Sequence, residues 1–342
     1  MTYPLLSQLT AEPANRGVIA RCGLIALACG SALLLQSSMV MAAETKDKAA
    51  TAAPAAVSAT TQPPQYNLLL ATLSGQKITQ WRQINQQAGY FNQPEFSRDG
   101  STLYFTAQQQ SVSGSQMDIA SYQLATGHIA LVANTELSEY SPTVLPNQQG
   151  LSAVVVEADG QQRLWQLQPD QQPKVLFPEL YGVGYHAWGP QQDLLIFQLG
   201  KTEAEHQIVY RNPTGQLKVL AQNIGRGLAW QPGQPIGYFT ERTKTEDPKS
   251  ADRLTLSWYN VTKDQLSQRQ LLLPEGAQDI RWLSSKLLLT SAGNKIYSWQ
   301  PAEPRWQLWL DLAPGCQGSV SRFALSPDQA RIAFVCQPKD SL

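Results

Sequence analysis

The sequence predicts an all-β fold, a six-bladed β-propeller closed by N-terminal strands that pair into the last, C-terminal blade. Three observations lead to this prediction. One strand–turn–strand phrase occurs six times after residue 90, a second such phrase alternates with it, and no amphipathic helix of useful length interrupts them. The copies recur at close to the length of one four-stranded propeller blade, about 40–45 residues.

The first phrase is clearest at residues 94–105, PEFSRDGSTLYF, where a polar turn separates two apolar strands. Asp, Asn and Gly tolerate the backbone angles of tight turns, and Pro presets the angle of a first turn position, so the phrase is expected to form a hairpin. Each copy has one apolar anchor, and successive anchors are 48, 44, 42, 52 and 43 residues apart. The anchors are Phe96, Val144, Trp188, Trp230, Trp282 and Leu325.

The second phrase is an alternating strand, a turn and another alternating strand, as at residues 118–131. Five copies follow copies of the first phrase, and the sixth stands at the other end of the repeats, at residues 69–81. This N-terminal hairpin is therefore expected to complete the blade begun at residues 320–336. Such an exchange closes the ring and removes exposed sheet edges.

The segment before the repeats has the pattern of an export signal. Arg16 and Arg21 precede an apolar stretch at residues 23–35, and small residues follow up to Ala43. We interpret residues 1–42 as a signal peptide cleaved after Ala42. Two alternatives stay open, namely a retained membrane anchor and lipidation at Cys29.

Residues 43–65 are rich in Ala, Thr and Pro and contain one Val as their only larger aliphatic residue. Such a segment cannot bury enough apolar surface to offset the entropy of ordering, so it is interpreted as a linker. Residues 66–342 are then expected to form a single propeller domain. We expect a monomer in the periplasm, with membrane contact only through an uncleaved or lipidated N-terminal segment.

Composition and motifs exclude several function classes. A formal net charge of +0 and a pI near 6.8 give no electrostatic footprint for nucleic acid. Three His and four Cys are too few for a rich metal centre, so neither a metal nor a cofactor is expected. The Gly-x-Ser-x-Gly elbow of serine hydrolases, the Walker loop and the dinucleotide fingerprint do not occur.

Two cysteines remain after the signal segment, Cys316 and Cys336. The first lies just before the inner strand of the last blade and the second ends the antiparallel partner of that strand. Exported proteins usually bridge such pairs, so a disulfide is predicted at the point where the ring closes.

The phrase Pro-x-Phe-Ser-x-Asp-Gly-x-x-Leu-x-Phe at residues 94–105, together with Ser326, Pro327 and Asp328, resembles the repeat of TolB-type periplasmic propellers. The resemblance extends over about residues 66–337. It implies a six-bladed propeller in the cell envelope that binds an envelope protein or peptide and catalyses nothing. The same repeat occurs in propellers of prolyl-oligopeptidase-like peptidases and of some secreted lyases. The alternative is therefore a secreted propeller enzyme of lyase or lactonase type that uses channel residues.

The repeat register also selects side chains for the central channel, because the start of each inner strand faces it. Three arginines that converge with an aspartate there suit an acidic peptide or a carboxylate. A second interpretation is that any propeller lines its water-filled channel with polar groups. No catalytic residue is assigned. The channel candidates are Tyr140, Tyr185, His186, Arg226, Asp279, Arg281 and Arg322.

Overall fold

The structure is a computed structural model that describes residues 66–111, 114–133, 135–146, 150–243 and 253–338. The segments interpreted above as a signal and a linker lie outside the described residues.

The described chain folds into six four-stranded antiparallel sheets, which confirms the predicted six-bladed propeller. Blades 1 to 5 follow one another in chain order, with four strands to a blade and the inner strand first. Apart from two short 3-10 turns, Pro190–Gln192 and Glu203–Glu205, the described residues contain no helix.

The strand bounds follow the repeat. Blade 1 is β3 (Phe91–Phe96), β4 (Thr102–Ser111), β5 (Gly114–Gln123) and β6 (Ile129–Leu131). Blade 2 is β7 (Ser138–Val144), β8 (Leu151–Val156), β9 (Gln162–Leu167) and β10 (Lys174–Val175). Blade 3 is β11 (Val183–Trp188), β12 (Leu194–Gln198), β13 (Gln207–Arg211) and β14 (Leu217–Gln222).

Blade 4 is β15 (Ile224–Trp230), β16 (Ile236–Arg242), β17 (Leu254–Asn260) and β18 (Gln265–Leu272). Blade 5 is β19 (Ile280–Ser284), β20 (Leu287–Ala292), β21 (Lys295–Trp299) and β22 (Gln307–Asp311). Blade 6 joins both ends of the described chain: β23 (Ser319–Leu325), β24 (Arg331–Gln337), β1 (Asn67–Ser74) and β2 (Lys77–Gln83).

The second strand of each blade is largely buried because neighbouring blades cover both of its faces. In β8 and β12 nearly every residue is buried, without the alternation of a one-sided sheet. The cores lie between blades rather than within one blade. Val154 and Leu164 of blade 2, for example, pack with Leu194 and Ile196 of blade 3.

Blade 6 is completed by the N-terminal hairpin. Strand β1 pairs antiparallel with β24, with Leu68 opposite Val335 and Leu70 opposite Ala333, and β2 pairs with β1 as the outermost strand. The two end segments of the propeller therefore share one sheet.

The predicted disulfide is present between Cys316 and Cys336, with 5.6 Å between their Cα atoms. Cys336 lies opposite Val320 of β23 on one side and opposite Asn67 of β1 on the other. The covalent link is thus located in the blade that closes the ring. Among the described residues, no helix reaches the length and apolarity needed to span a bilayer.

Candidate functional site

The six inner strands surround the central channel, and irregular pairing near their starts re-aims side chains toward it. In blades 1 and 2 a bulge places Gln93 and Ser141 at φ 55° and 56°, in the left-handed region that non-glycine residues rarely adopt. Gln93 Oε1 accepts hydrogen bonds from Thr106 Oγ1 at 2.7 Å and from the Ser141 backbone N–H at 3.1 Å. These bonds hold both bulges together, so the channel wall is fixed between the first two blades.

The inner strands enclose a cavity of about 340 Å³, which continues to the hairpin turns at their ends. Six of the seven channel candidates line it: Tyr185, His186, Arg226, Asp279, Arg281 and Arg322. Tyr140 is not among the lining residues. Its ring lies edge-on to the ring of Tyr90, 6.4 Å away between centroids.

One level of the cavity, which we call the arginine layer, is formed by Arg226, Arg322, Asp279 and Tyr185. Arg322 Nη1 lies 3.1 Å from Asp279 Oδ1, and both side chains are buried. The guanidinium of Arg322 also lies over the ring of Tyr185, 4.6 Å from its centroid. Arg226 donates from Nη2 to the carbonyl of Ser321 at 2.8 Å. These contacts reach across the channel, so they bridge it at this level.

The arginine layer carries more positive than negative charge. Burial and the nearby charge of Arg322 lower the pKa of Arg226 to about 10, so this group remains a cation near neutral pH. Asp279 Oδ2 is buried and has no hydrogen-bond partner among the described residues. Two guanidinium groups against one carboxylate make this layer attractive to an anion.

A second level, which we call the pair layer, lies one residue before the anchors. Here Arg281 Nη1 of blade 5 lies 3.0 Å from Glu95 Oε2 of blade 1. The intervening blade 6 has Ala324 at the equivalent position, which is small enough for the pair to meet. Burial raises the pKa of Glu95, although the charge of Arg281 opposes this change. The equivalent residues of blades 2 to 4 are Thr143, Ala187 and Ala229.

His186 lines the cavity but is held by its own neighbours. Its Nε2 lies 2.7 Å from Ser152 Oγ, which also accepts a hydrogen bond from Trp188 Nε1 at 2.8 Å. Burial lowers the pKa of His186 to about 3, so the ring is neutral in the physiological range. His186 Nδ1 is buried without a hydrogen-bond partner in the described chain. The ring is therefore neutral and oriented by Ser152 rather than a surface cation.

Glu139 directly precedes the channel candidate Tyr140 in sequence, but its side chain does not line the cavity. Its side chain is fully buried between blades 1 and 2. Oε1 accepts a hydrogen bond from Thr135 Oγ1 at 2.8 Å, and Oε2 accepts one from the Ile119 backbone N–H at 3.3 Å. Burial raises the pKa of Glu139 to about 7. The alternation of β7 explains this placement, since adjacent residues of a strand point to opposite faces.

The sequence register missed three residues of the site. Ser152 lies on a second strand and was found only through its contact with His186 and Trp188. Tyr90 precedes β3, and its ring packs against Tyr66 with 5.0 Å between centroids. Arg98 of the first hairpin turn lines the outer end of the cavity. Arg98 follows the anchor Phe96 by two residues. It would have been selected if the search for channel residues had included the positions just after each anchor.

Among the described residues, no three His, Cys, Asp or Glu side chains are grouped so that they could hold a metal ion.

Comparison with known proteins places the chain by fold alone. No protein-family model matches it, and no curated protein sequence does. A protein assigned as TolB from Agrobacterium tumefaciens superposes with a TM-score of 0.58 at 13% identity, over 81% of this chain and 99% of that one. The chain thus resembles TolB-type six-bladed propellers in structure.

Two other solved structures show how far this likeness extends. TolB from Acinetobacter baumannii gives a TM-score of 0.50 at 11% identity, over 81% of this chain and 65% of that chain. A gluconolactonase from Xanthomonas campestris gives a TM-score of 0.56 at 12% identity, over 81% of this chain and 95% of that chain. Because one architecture serves a TolB and an enzyme, the fold does not decide the function, and the site must.

Proposed function

We propose that this protein is an exported, non-catalytic propeller that binds an acidic segment of a cell-envelope protein or peptide at its central channel. One observation carries the proposal. Six of the channel candidates line a single cavity, and its guanidinium groups, those of Arg98, Arg226, Arg281 and Arg322, outnumber its carboxylates, those of Glu95 and Asp279. Guanidinium groups bind carboxylates through charge-assisted, often bidentate hydrogen bonds.

A group of tyrosines near the channel supports a protein partner. Tyr66, Tyr90 and Tyr140 pack edge to edge and remain partly exposed, and Tyr185 lies under Arg322. Tyrosine and arginine dominate the energetics of protein interfaces because each combines a large contact area with hydrogen bonding. A partner segment with an acidic side chain next to apolar residues would match these tyrosines and arginines.

Export supports the envelope location. A disulfide between Cys316 and Cys336 suits an oxidising compartment. The proposal includes residues 1–42 as the signal or anchor, residues 43–65 as the linker and a monomeric propeller after them. Contact with the membrane is then limited to the N-terminal segment.

The test is crosslinking in the periplasm followed by affinity capture of the tagged protein. Arg281→Glu and Arg322→Glu are expected to abolish capture of a partner that the wild type retains, because each reverses a charge in the cavity. Arg163→Glu is the matched control, since Arg163 pairs with Glu157 and does not line the cavity. Circular dichroism must show that each variant is folded. Capture that both channel variants leave unchanged would refute the proposal.

A further inference from the structure

The pair layer of the cavity differs from the arginine layer in its charge composition. Its only charged side chains are Glu95 and Arg281, one of each sign. The other four positions of this layer are three alanines and a threonine. The space in this part of the cavity therefore exists because small residues surround one ion pair.

The pair lines both the cavity and a smaller pocket. Both hollows are lined by Glu95, Arg281 and Trp282, and the smaller one also by Ala324. The side chain of Arg281 is 39% exposed and that of Glu95 is 19% exposed. Because Glu95 and Arg281 border these two hollows, their side chains can move apart without disturbing a packed core.

Opening this pair sets a strict condition on any ligand. Removing one partner from a partly buried ion pair leaves the other charge without its counter-charge, which is unfavourable. An anion bound to Arg281 would leave Glu95 without a counter-charge, and a cation bound to Glu95 would leave Arg281 without one. A ligand that carries both charges compensates both residues at once.

We propose that the pair layer binds a small zwitterion of amino-acid or dipeptide size, with its carboxylate on Arg281 and its ammonium group on Glu95. The volume of about 340 Å³ lies at the low end of the range for small-molecule sites, which is about 300–1,000 Å³. Trp282 also lines the cavity and can contribute apolar contacts to the ligand. This proposal shares Arg281 with the proposed protein-binding site but concerns another class of ligand, so binding of a small zwitterion and capture of a protein partner are measured separately.

The test starts with the purified protein and a panel of probes: the standard amino acids and the dipeptide Ala-Ala, each at millimolar concentration in a thermal-shift assay. Isothermal titration calorimetry then compares the best responder with its N-acetyl and its C-terminal amide derivatives. Blocking either end is expected to weaken binding by about 100-fold or more, because one buried charge is left unpaired. If no probe shifts Tm, or if blocked and free forms bind equally, the proposal is wrong.

Variants separate this site from a purely structural ion pair. Arg281→Gln is expected to abolish binding of the free zwitterion. Glu95→Gln removes the carboxylate that pairs with the ammonium group of the ligand. The N-acetyl derivative should then bind this variant within about threefold of the free form. An ion pair with a purely structural role would not change the selectivity in this way. Glu157→Gln is the matched control, since Glu157 pairs with Arg163 and lies outside the cavity. Unchanged selectivity in Glu95→Gln would overturn the proposal, whatever the pull-down for the protein partner shows.

Discussion

Arg322 and Tyr185 face each other across the channel, with the guanidinium carbon 4.6 Å from the centre of the tyrosine ring. Arg322 belongs to β23 of blade 6 and Tyr185 to β11 of blade 3, which are opposite positions in a ring of six. Because Arg322 also pairs with Asp279 of the loop before β19, one side chain connects the inner edges of three blades. The arginine layer is therefore part of the framework of the ring as well as part of the proposed binding site.

The first prediction concerns this framework. Arg322→Met is expected to lower the free energy of unfolding by about 3–5 kcal/mol, because buried Asp279 then loses its ion-pair partner. The double variant Asp279→Asn/Arg322→Met removes both charges and should recover most of that loss. Urea denaturation followed by circular dichroism measures both. Equal destabilisation by the single and the double variant would show that the charge of Asp279 is not the cause.

The second prediction concerns the covalent closure of blade 6. The disulfide links residues 20 apart in sequence, and in the chain-entropy model a loop of this size contributes about 3 kcal/mol. Cys316→Ser/Cys336→Ser should therefore unfold at a lower denaturant concentration, with β1, β2 and β24 the first strands to lose amide protection. Dithiothreitol should destabilise the wild type and leave the double variant unchanged. A reductant effect of equal size on both would point to another cause.

The architecture could be predicted because its signals are local and repeated. Each anchor, such as Trp188 or Trp230, follows the same strand pattern, and a four-stranded blade is the unit that such a period specifies. The displaced copy at residues 69–81 was sufficient to assign the N-terminal hairpin to blade 6. The cysteine spacing then specified one possible pair.

The site could be predicted only in part. The repeat register shows which positions lie near the channel, but it does not show which side chains contact one another. Register placed Arg281 at the channel, but its partner Glu95 is 186 residues away on another blade and depends on a small residue, Ala324, between them. Glu139 stands next to the candidate Tyr140 in sequence, but its side chain turns to the opposite face of β7 and into a blade interface. Which face a residue near a bulge takes depends on backbone geometry that the sequence does not display.

The third prediction concerns a close approach at the outer end of the cavity. A Cβ atom at Gly189 would lie 2.4 Å from the indole ring of Trp230, whose Nε1 donates to the Ala187 carbonyl at 2.9 Å. The backbone at Gly189 has φ −101° and ψ −172°, which alanine adopts freely, so any effect must come from this contact. Gly189→Ala is expected to cost about 1–3 kcal/mol, as overpacked sites do.

Unfolding followed by tryptophan fluorescence measures the effect of Gly189→Ala. The matched variant is Gly189→Ala/Trp230→Leu, in which the smaller side chain leaves room for the added methyl group. The substitution of Gly189 should then cost less in the Trp230→Leu background than in the wild type. An equal cost in both backgrounds would contradict the contact with Trp230.

The last prediction concerns pH and Glu139. Burial and the hydrogen bonds described above leave the pKa of Glu139 at about 7 in the folded protein, against 4.5 for an exposed glutamate. Asp118 is the charged group that faces it, and its carboxylate raises the pKa further. Between these two values the folded state holds a proton that the unfolded state has lost. The stability that this proton provides is complete below pH 4.5 and is lost as pH rises through 7, by about 3 kcal/mol.

Glu139→Gln tests this directly, because glutamine can still accept from the Ile119 N–H and carries no charge. The variant is expected to be more stable than the wild type at pH 8 and to differ less from it at pH 5, since the difference follows the ionisation of Glu139. Denaturation curves at pH 5, 6, 7 and 8 measure it, with Glu157→Gln as the control that keeps the pH dependence of the wild type. If the difference in stability between the wild type and Glu139→Gln stays constant from pH 5 to 8, Glu139 does not titrate in this range.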